Sequence, residues 1–135
     1  MMEASSVVGD ARRWYRVAAI SNVIVSLPAF VAYDRAVALL ADEKPRYPFL
    51  VHIWAGMALL WALMFREISR DPIGRYPMVK YSWLEKMVTS GAVIVAYRRH
   101  EVPSRLMVSI VVTDIVWIPI FLVFQLRLRS VAKEH

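Results

Sequence analysis

The chain has 135 residues, a formal charge of +6, 59% hydrophobic residues and no cysteine. Soluble domains hold about 45–50% apolar residues, so this composition, with a mean hydropathy of +0.45, excludes an ordinary soluble domain. The missing cysteines exclude disulfide scaffolds, thiol catalysis, iron–sulfur clusters and Cys-zinc sites, and the length is that of one domain, 1–135.

Residues Met1 to Asp10 are small and polar, with Asp10 as the expected N-cap of a first helix. Between Arg16 and Asp34 lie 17 uncharged residues. A spanning helix needs about 20 mainly apolar residues, within a range of about 17–25, so a first span is expected at about 14–33. The run Arg12-Arg13-Trp14-Tyr15-Arg16 imitates a signal-peptide start. Its apolar segment is longer than the usual 7–15 or so residues, and no small-x-small cleavage site follows. It therefore reads as an uncleaved helix. Beyond it, Arg35 to Ala41 suits a short interfacial helix that Pro45 and Pro48 would stop.

The interval between Arg46 and Arg66 has 19 uncharged residues and predicts a second span at 48–66. Asp71-Pro72-Ile73-Gly74-Arg75-Tyr76-Pro77 is a run of turn residues. The third segment is different, because only 11 uncharged residues separate Lys86 from Arg98. Extending it to 79–98 gives a spanning length but encloses Lys80, Glu85 and Lys86. Lys80 can snorkel to the headgroups; Glu85 is expected at the inner headgroup zone near Arg66 or Lys80. Tyr81 and Trp83 at one end and Tyr97 at the other mark aromatic belts, so spanning is preferred to a re-entrant hairpin. The tight connection 98–104 makes this helix an antiparallel neighbour of the last one. That last span, 105–126, lies between Arg105 and Arg127 and is interrupted only by Asp114.

The fold expected is all-α: a four-helix transmembrane bundle. With four spans, eleven Lys and Arg fall on the side of the termini and six on the other. Positive-inside reasoning then places both termini in the cytoplasm and the chain in the inner (cytoplasmic) membrane as a multi-pass protein. The basic residues flank spans and meet anionic lipid. They form no soluble face for nucleic acid.

If Arg98 and Arg105 mark one surface, residues of the last two spans at equal depth have numbers summing to about 203. Asp114 is then level with residue 89, and Lys86 lies about 4.5 Å deeper. A buried Lys86–Asp114 ion pair is expected, since an unpaired charge at that depth costs about 2.5–3.5 kcal/mol on insertion scales. Asn22 and Ser26, four apart, share a face of the first helix. Ser90 is one turn from Lys86, Trp117 follows Asp114 on its face with Phe121 beyond, and Trp54 and Trp61 close the sides. Lys86, Asp114, Asn22, Ser26, Ser90, Trp54 and Trp117 are thus the candidate ligand-binding residues. Competing roles are close packing for Gly56, Ser26, Ser90 and Gly91, and core or belt positions for the tryptophans. For the ion pair the competing roles are helix register or subunit contact. His52, near Asp34, suits a rim hydrogen bond. No catalytic motif, metal spacing or cofactor signature occurs.

The Asp71-Pro72, Lys86, Glu101-Val102-Pro103, Asp114 and Phe121 pattern over about 66–126 resembles a group of small bacterial four-helix integral membrane proteins. The resemblance implies a four-helix bundle in which Lys86 and Asp114 belong together, and it implies no reaction. The architecture is also similar to that of sterol-isomerase-type membrane proteins, whose acidic motif is not matched here.

Three functions are weighed. The first is a non-enzymatic accessory subunit or a module binding lipid or another hydrophobic ligand. The second is a membrane enzyme acting on a lipid-like or isoprenoid substrate through Asp114 and Lys86. The third is a small oligomeric proton-coupled transporter with Asp114 as the coupling acid. The partners expected are the bilayer, a lipid-like or hydrophobic small molecule, and another membrane protein or a second copy.

Overall fold

A computed structural model describes residues 2–40 and 47–133. Every regular element among them is helical: α1 Met2–Ser26, α2 Pro28–Val31, α3 Tyr33–Leu40, α4 Pro48–Arg70, α5 Tyr76–Arg98 and α6 Ser104–Ala132. Three stretches are long and apolar enough to cross a membrane: Ser5–Val31, Pro48–Arg70 and Ser104–Ala132. α5 has a spanning length but carries Lys80, Glu85 and Lys86.

Prolines set most of the boundaries. Pro28 has no N–H to return to Ile24, so α1 gives way to α2 there. Leu27 stays helical (φ −58°, ψ −40°) and its N–H still reaches Val23 O at 2.9 Å, which joins the two as one bent rod. Ala32, at φ −145°, ends that rod. α3 covers most of the stretch expected as an interfacial helix, while Ala41 and Pro45 lie outside the described residues. Tyr47, at φ −123° and ψ 81°, stays out of the helical region before Pro48, as the residue preceding proline does, and Pro48 opens α4. After α4, Asp71 Oδ1 accepts the Gly74 N–H at 2.9 Å and ties the turn. A Cβ on Gly74 would stand 2.1 Å from Asp71 Oδ2, so a side chain there would push the Asp71 carboxylate out of this turn.

Several helix boundaries differ from the sequence reading. α1 begins at Met2, and Asp10 is an exposed residue inside it, not its cap. Val7 and Val8 pack against the core, and that tertiary contact carries the helix past the polar start. α4 and α6 likewise run on to Arg70 and Ala132, because the arginines after each apolar run continue a helix as well as they end a span.

α1 packs along α4, and α5 packs along α6 as the tight hairpin predicts, whereas α4 and α5 touch sparsely despite following one another. The pairs meet through α1 and α6. Tyr15 stacks on Phe121 with ring centroids 5.0 Å apart, and Trp14 meets Trp117 edge-on at 6.2 Å. Phe65, Ile68, Val79, Phe124 and Leu128 complete this core. Buried positions on α6 (Asp114, Trp117, Phe121, Phe124, Leu128, Val131) alternate spacings of three and four, the pattern of a helix–helix seam.

The bundle has an inverted distribution of polarity. Asn22, Ser26, Ser82, Lys86, Ser90 and Asp114 are buried, while Ile20, Ile24, Val31, Leu60, Leu63, Val88, Val112 and Leu126 are exposed. Polar groups inside and apolar groups outside is what a hydrocarbon solvent selects.

Candidate functional site

Four buried side chains from three helices converge where the two pairs meet. Lys86 of α5 places Nζ 3.3 Å from Asp114 Oδ1 on α6 and 3.1 Å from Glu85 Oε2. The same ammonium donates to Asn22 Oδ1 on α1 at 3.5 Å, and it lies 6.0 Å from the centre of the Phe65 ring. The Lys86 and Asp114 side chains are each 7% exposed and that of Glu85 is 11%.

Each partner is itself oriented. Asn22 Nδ2 donates to the Ala58 carbonyl on α4 at 3.2 Å, which points its Oδ1 at Lys86. Ser90, one turn along from Lys86, donates to Asp114 Oδ2 at 3.3 Å, and Thr89 donates to Glu85 Oε1 at 3.3 Å. Further toward the termini, Trp83 Nε1 donates to Gln125 Oε1, a second polar tie between α5 and α6. The Tyr15 and Ser82 hydroxyls, both buried, lie close to each other without a well-formed hydrogen bond to any described residue.

The expected Lys86–Asp114 pair thus exists as a contact, with Ser90 and Asn22 around it. Trp117 is buried on the Asp114 face but packs on Trp14 and Phe121 as core. Ser26 shares the Asn22 face and is fully buried, yet its hydroxyl makes no hydrogen bond among the described residues and takes no part in the cluster. Gly91 faces open space, and Gly56 looks toward Phe30 Cζ at 3.8 Å, so only Gly56 has a packing neighbour. His52 has Nδ1 3.0 Å from the Pro48 carbonyl of its own helix and stacks on Tyr33.

Glu85 corrects the sequence reading. It does not sit with Arg66 or Lys80 among headgroups but turns inward to Lys86. The signal in the sequence is its four-residue spacing to Thr89.

Glu85 also reaches the other side of the wall. A groove of about 360 Å³ between α4 and α5 is lined by Trp54, Met57, Trp61, Tyr81, Glu85 and Val88, with Ala58, Leu84 and Thr89. It exists because α4 and α5 diverge beyond their connection. Trp54 belongs to this groove and has no part in the ion cluster. Exposed Met57, Tyr81 and Val88 on its rim leave it open at the side. No group of three or more metal-ligating side chains occurs among the described residues.

No family model, curated protein or solved structure matches this chain.

Proposed function

We propose that this chain is a multi-pass inner-membrane protein that crosses the bilayer four times with both termini in the cytoplasm. In this reading it is a non-catalytic module that holds a lipid-like or hydrophobic small molecule in the α4–α5 groove. One observation carries the reading: an apolar, aromatic-walled groove, open to the side, ends on Glu85, a member of a buried ion cluster. Ligand sites are concave and mostly apolar, with a few placed polar groups, and intramembrane ionisable residues mark such sites by default.

The fourth span is supported by where the charges of α5 go. Glu85 and Lys86 point inward, while Leu84, Met87, Val88, Ile94 and Val95 face out. α5 therefore presents an apolar surface despite its composition. Lys80 lies 4.9 Å from the Tyr81 ring, the arrangement of a headgroup-level belt.

The test is native mass spectrometry of the protein gently extracted from its own membrane, beside a W54A/W61A variant. A stoichiometric lipophilic small molecule on the wild type, lost from the variant, is expected. A bare chain would overturn the ligand reading, and a chain held stably by another polypeptide would replace it with that of an accessory subunit.

A further inference from the structure

The α4–α5 groove is matched to a cation. Its single carboxyl group is Glu85, and Trp54, Trp61 and Tyr81 line the same groove. Aromatic faces carry negative electrostatic potential, and an aromatic cage completed by a carboxylate is the arrangement that attracts alkylated or arylated cations. Such ions hold little hydration water, so they can enter a lipid-facing groove at low cost, where an ammonium or a metal ion could not.

The charge behind the groove points the same way. The cluster holds two carboxyls, Glu85 and Asp114, against one ammonium, Lys86. With both carboxyls ionised it carries one uncompensated negative charge, at a depth where unpaired charge is costly. A monovalent cation in the groove completes the balance, and so does a proton. Lys86 can release Glu85 toward a ligand because Asp114 Oδ1 and Asn22 Oδ1 still hold it. The groups facing Glu85 allow this exchange. Its own helix presents Lys86, Thr89 and Tyr81, α6 presents Asp114, and α4 presents only Trp54, Met57, Ala58 and Trp61.

We propose that the α4–α5 groove binds a lipophilic monocation of the quaternary ammonium or arylphosphonium class, with Glu85 as its counter-ion and in exchange for one proton. The inference rests on the groove being a ligand site and names the class of ligand. In the empty groove one proton resides on the Glu85–Asp114 pair. As the cation enters, Glu85 faces it as a carboxylate and the proton passes to water. One positive charge enters, one leaves, and no bond to carbon changes.

Isothermal titration calorimetry of the full chain in maltoside micelles tests this, with empty micelles as the blank. The probes are tetraphenylphosphonium and the neutral triphenylphosphine oxide. Repeating the titration in two buffers of different ionisation enthalpy counts the protons released. The expected result is tetraphenylphosphonium binding with close to one proton released, and an affinity that rises with pH by up to about tenfold per unit. E85Q should weaken cation binding at least tenfold, and E85D should restore most of it.

If the phosphine oxide binds as tightly and E85Q changes nothing, the cation assignment fails while the hydrophobic-ligand reading stands. If neither probe binds, both fail. Cation binding without proton release overturns the exchange. That count is made on the wild type, so it holds even where E85Q does not fold.

Discussion

Lys86 is the residue on which the bundle's interior depends, because its ammonium bonds to oxygens from α5, α6 and α1 at once. Removing it would leave Glu85 and Asp114 facing each other without a cation. Breaking a buried ion pair by deleting one partner costs about 3–5 kcal/mol, and K86M is expected to lose stability of that order in a detergent unfolding titration. Adding D114N alone should restore only part, since the Glu85 carboxyl stays buried without its partner, whereas K86M/E85Q/D114N should restore most of it. N22A removes one acceptor of Lys86 and the bond to the Ala58 carbonyl, and should cost about 1–2 kcal/mol in the same titration. The Lys86–Asp114 contact was legible because a charge at that depth must find a partner and the short hairpin sets the register. Glu85 was not. Consecutive helix residues diverge by about 100°, so nothing in the order Glu85-Lys86 says that one will bend back to the other.

At the scale of elements, the hairpin between α5 and α6 depends on a strained residue. His100 has φ 59°, the left-handed region that side chains with a Cβ resist. It is kept there by a paired C-cap, in which Glu101 N–H donates to Ala96 O at 3.0 Å and His100 N–H to Tyr97 O at 3.0 Å. Glycine would relieve the strain, so H100G should stabilise the protein by about 0.5–1 kcal/mol, read as a rise in Tm in detergent. The α1–α4 pair relies on small side chains, with Ala18, Ala55 and Ala62 all at least 96% buried. Small residues let membrane helices approach closely. A62L should overpack this contact and cost about 1–3 kcal/mol, while leaving the α5–α6 hairpin intact by hydrogen exchange. That contrast follows from the sparse contact between α4 and α5.

For the whole molecule, the decisive question is whether α5 crosses the bilayer. The chain has no cysteine, so single-cysteine variants report topology without background. R75C before α5 and S104C after it are both exposed. An impermeant maleimide should label them from opposite sides of the membrane, with R75C on the cytoplasmic side, and labelling from the same side would show that α5 re-enters. A second surface bears on the same orientation. Between α1 and α4, Arg16, Arg66 and Arg70 lie at one end of a depression of about 640 Å³ walled by Ile20, Val23, Ile24, Leu59 and Leu63. Arginines at the headgroup level are worth about 1 kcal/mol each against anionic lipid. Phosphatidylglycerol should raise the Tm of the wild type more than that of R16Q/R66Q.

The amino-acid order alone determined that the chain is helical and built for a membrane, because spans are a matter of length and charge-free composition. It also determined that Lys86 and Asp114 meet, because solvation cost and hairpin register leave little choice. Only the tertiary structure decided which helices pair. α1 chose α4 and α5 chose α6, leaving a groove between sequence neighbours, and that choice rests on side-chain fit summed across whole helices. It also placed Glu85 inside and Trp54 on the groove wall, because rotamer and helix rotation respond to the assembled interior and not to local sequence.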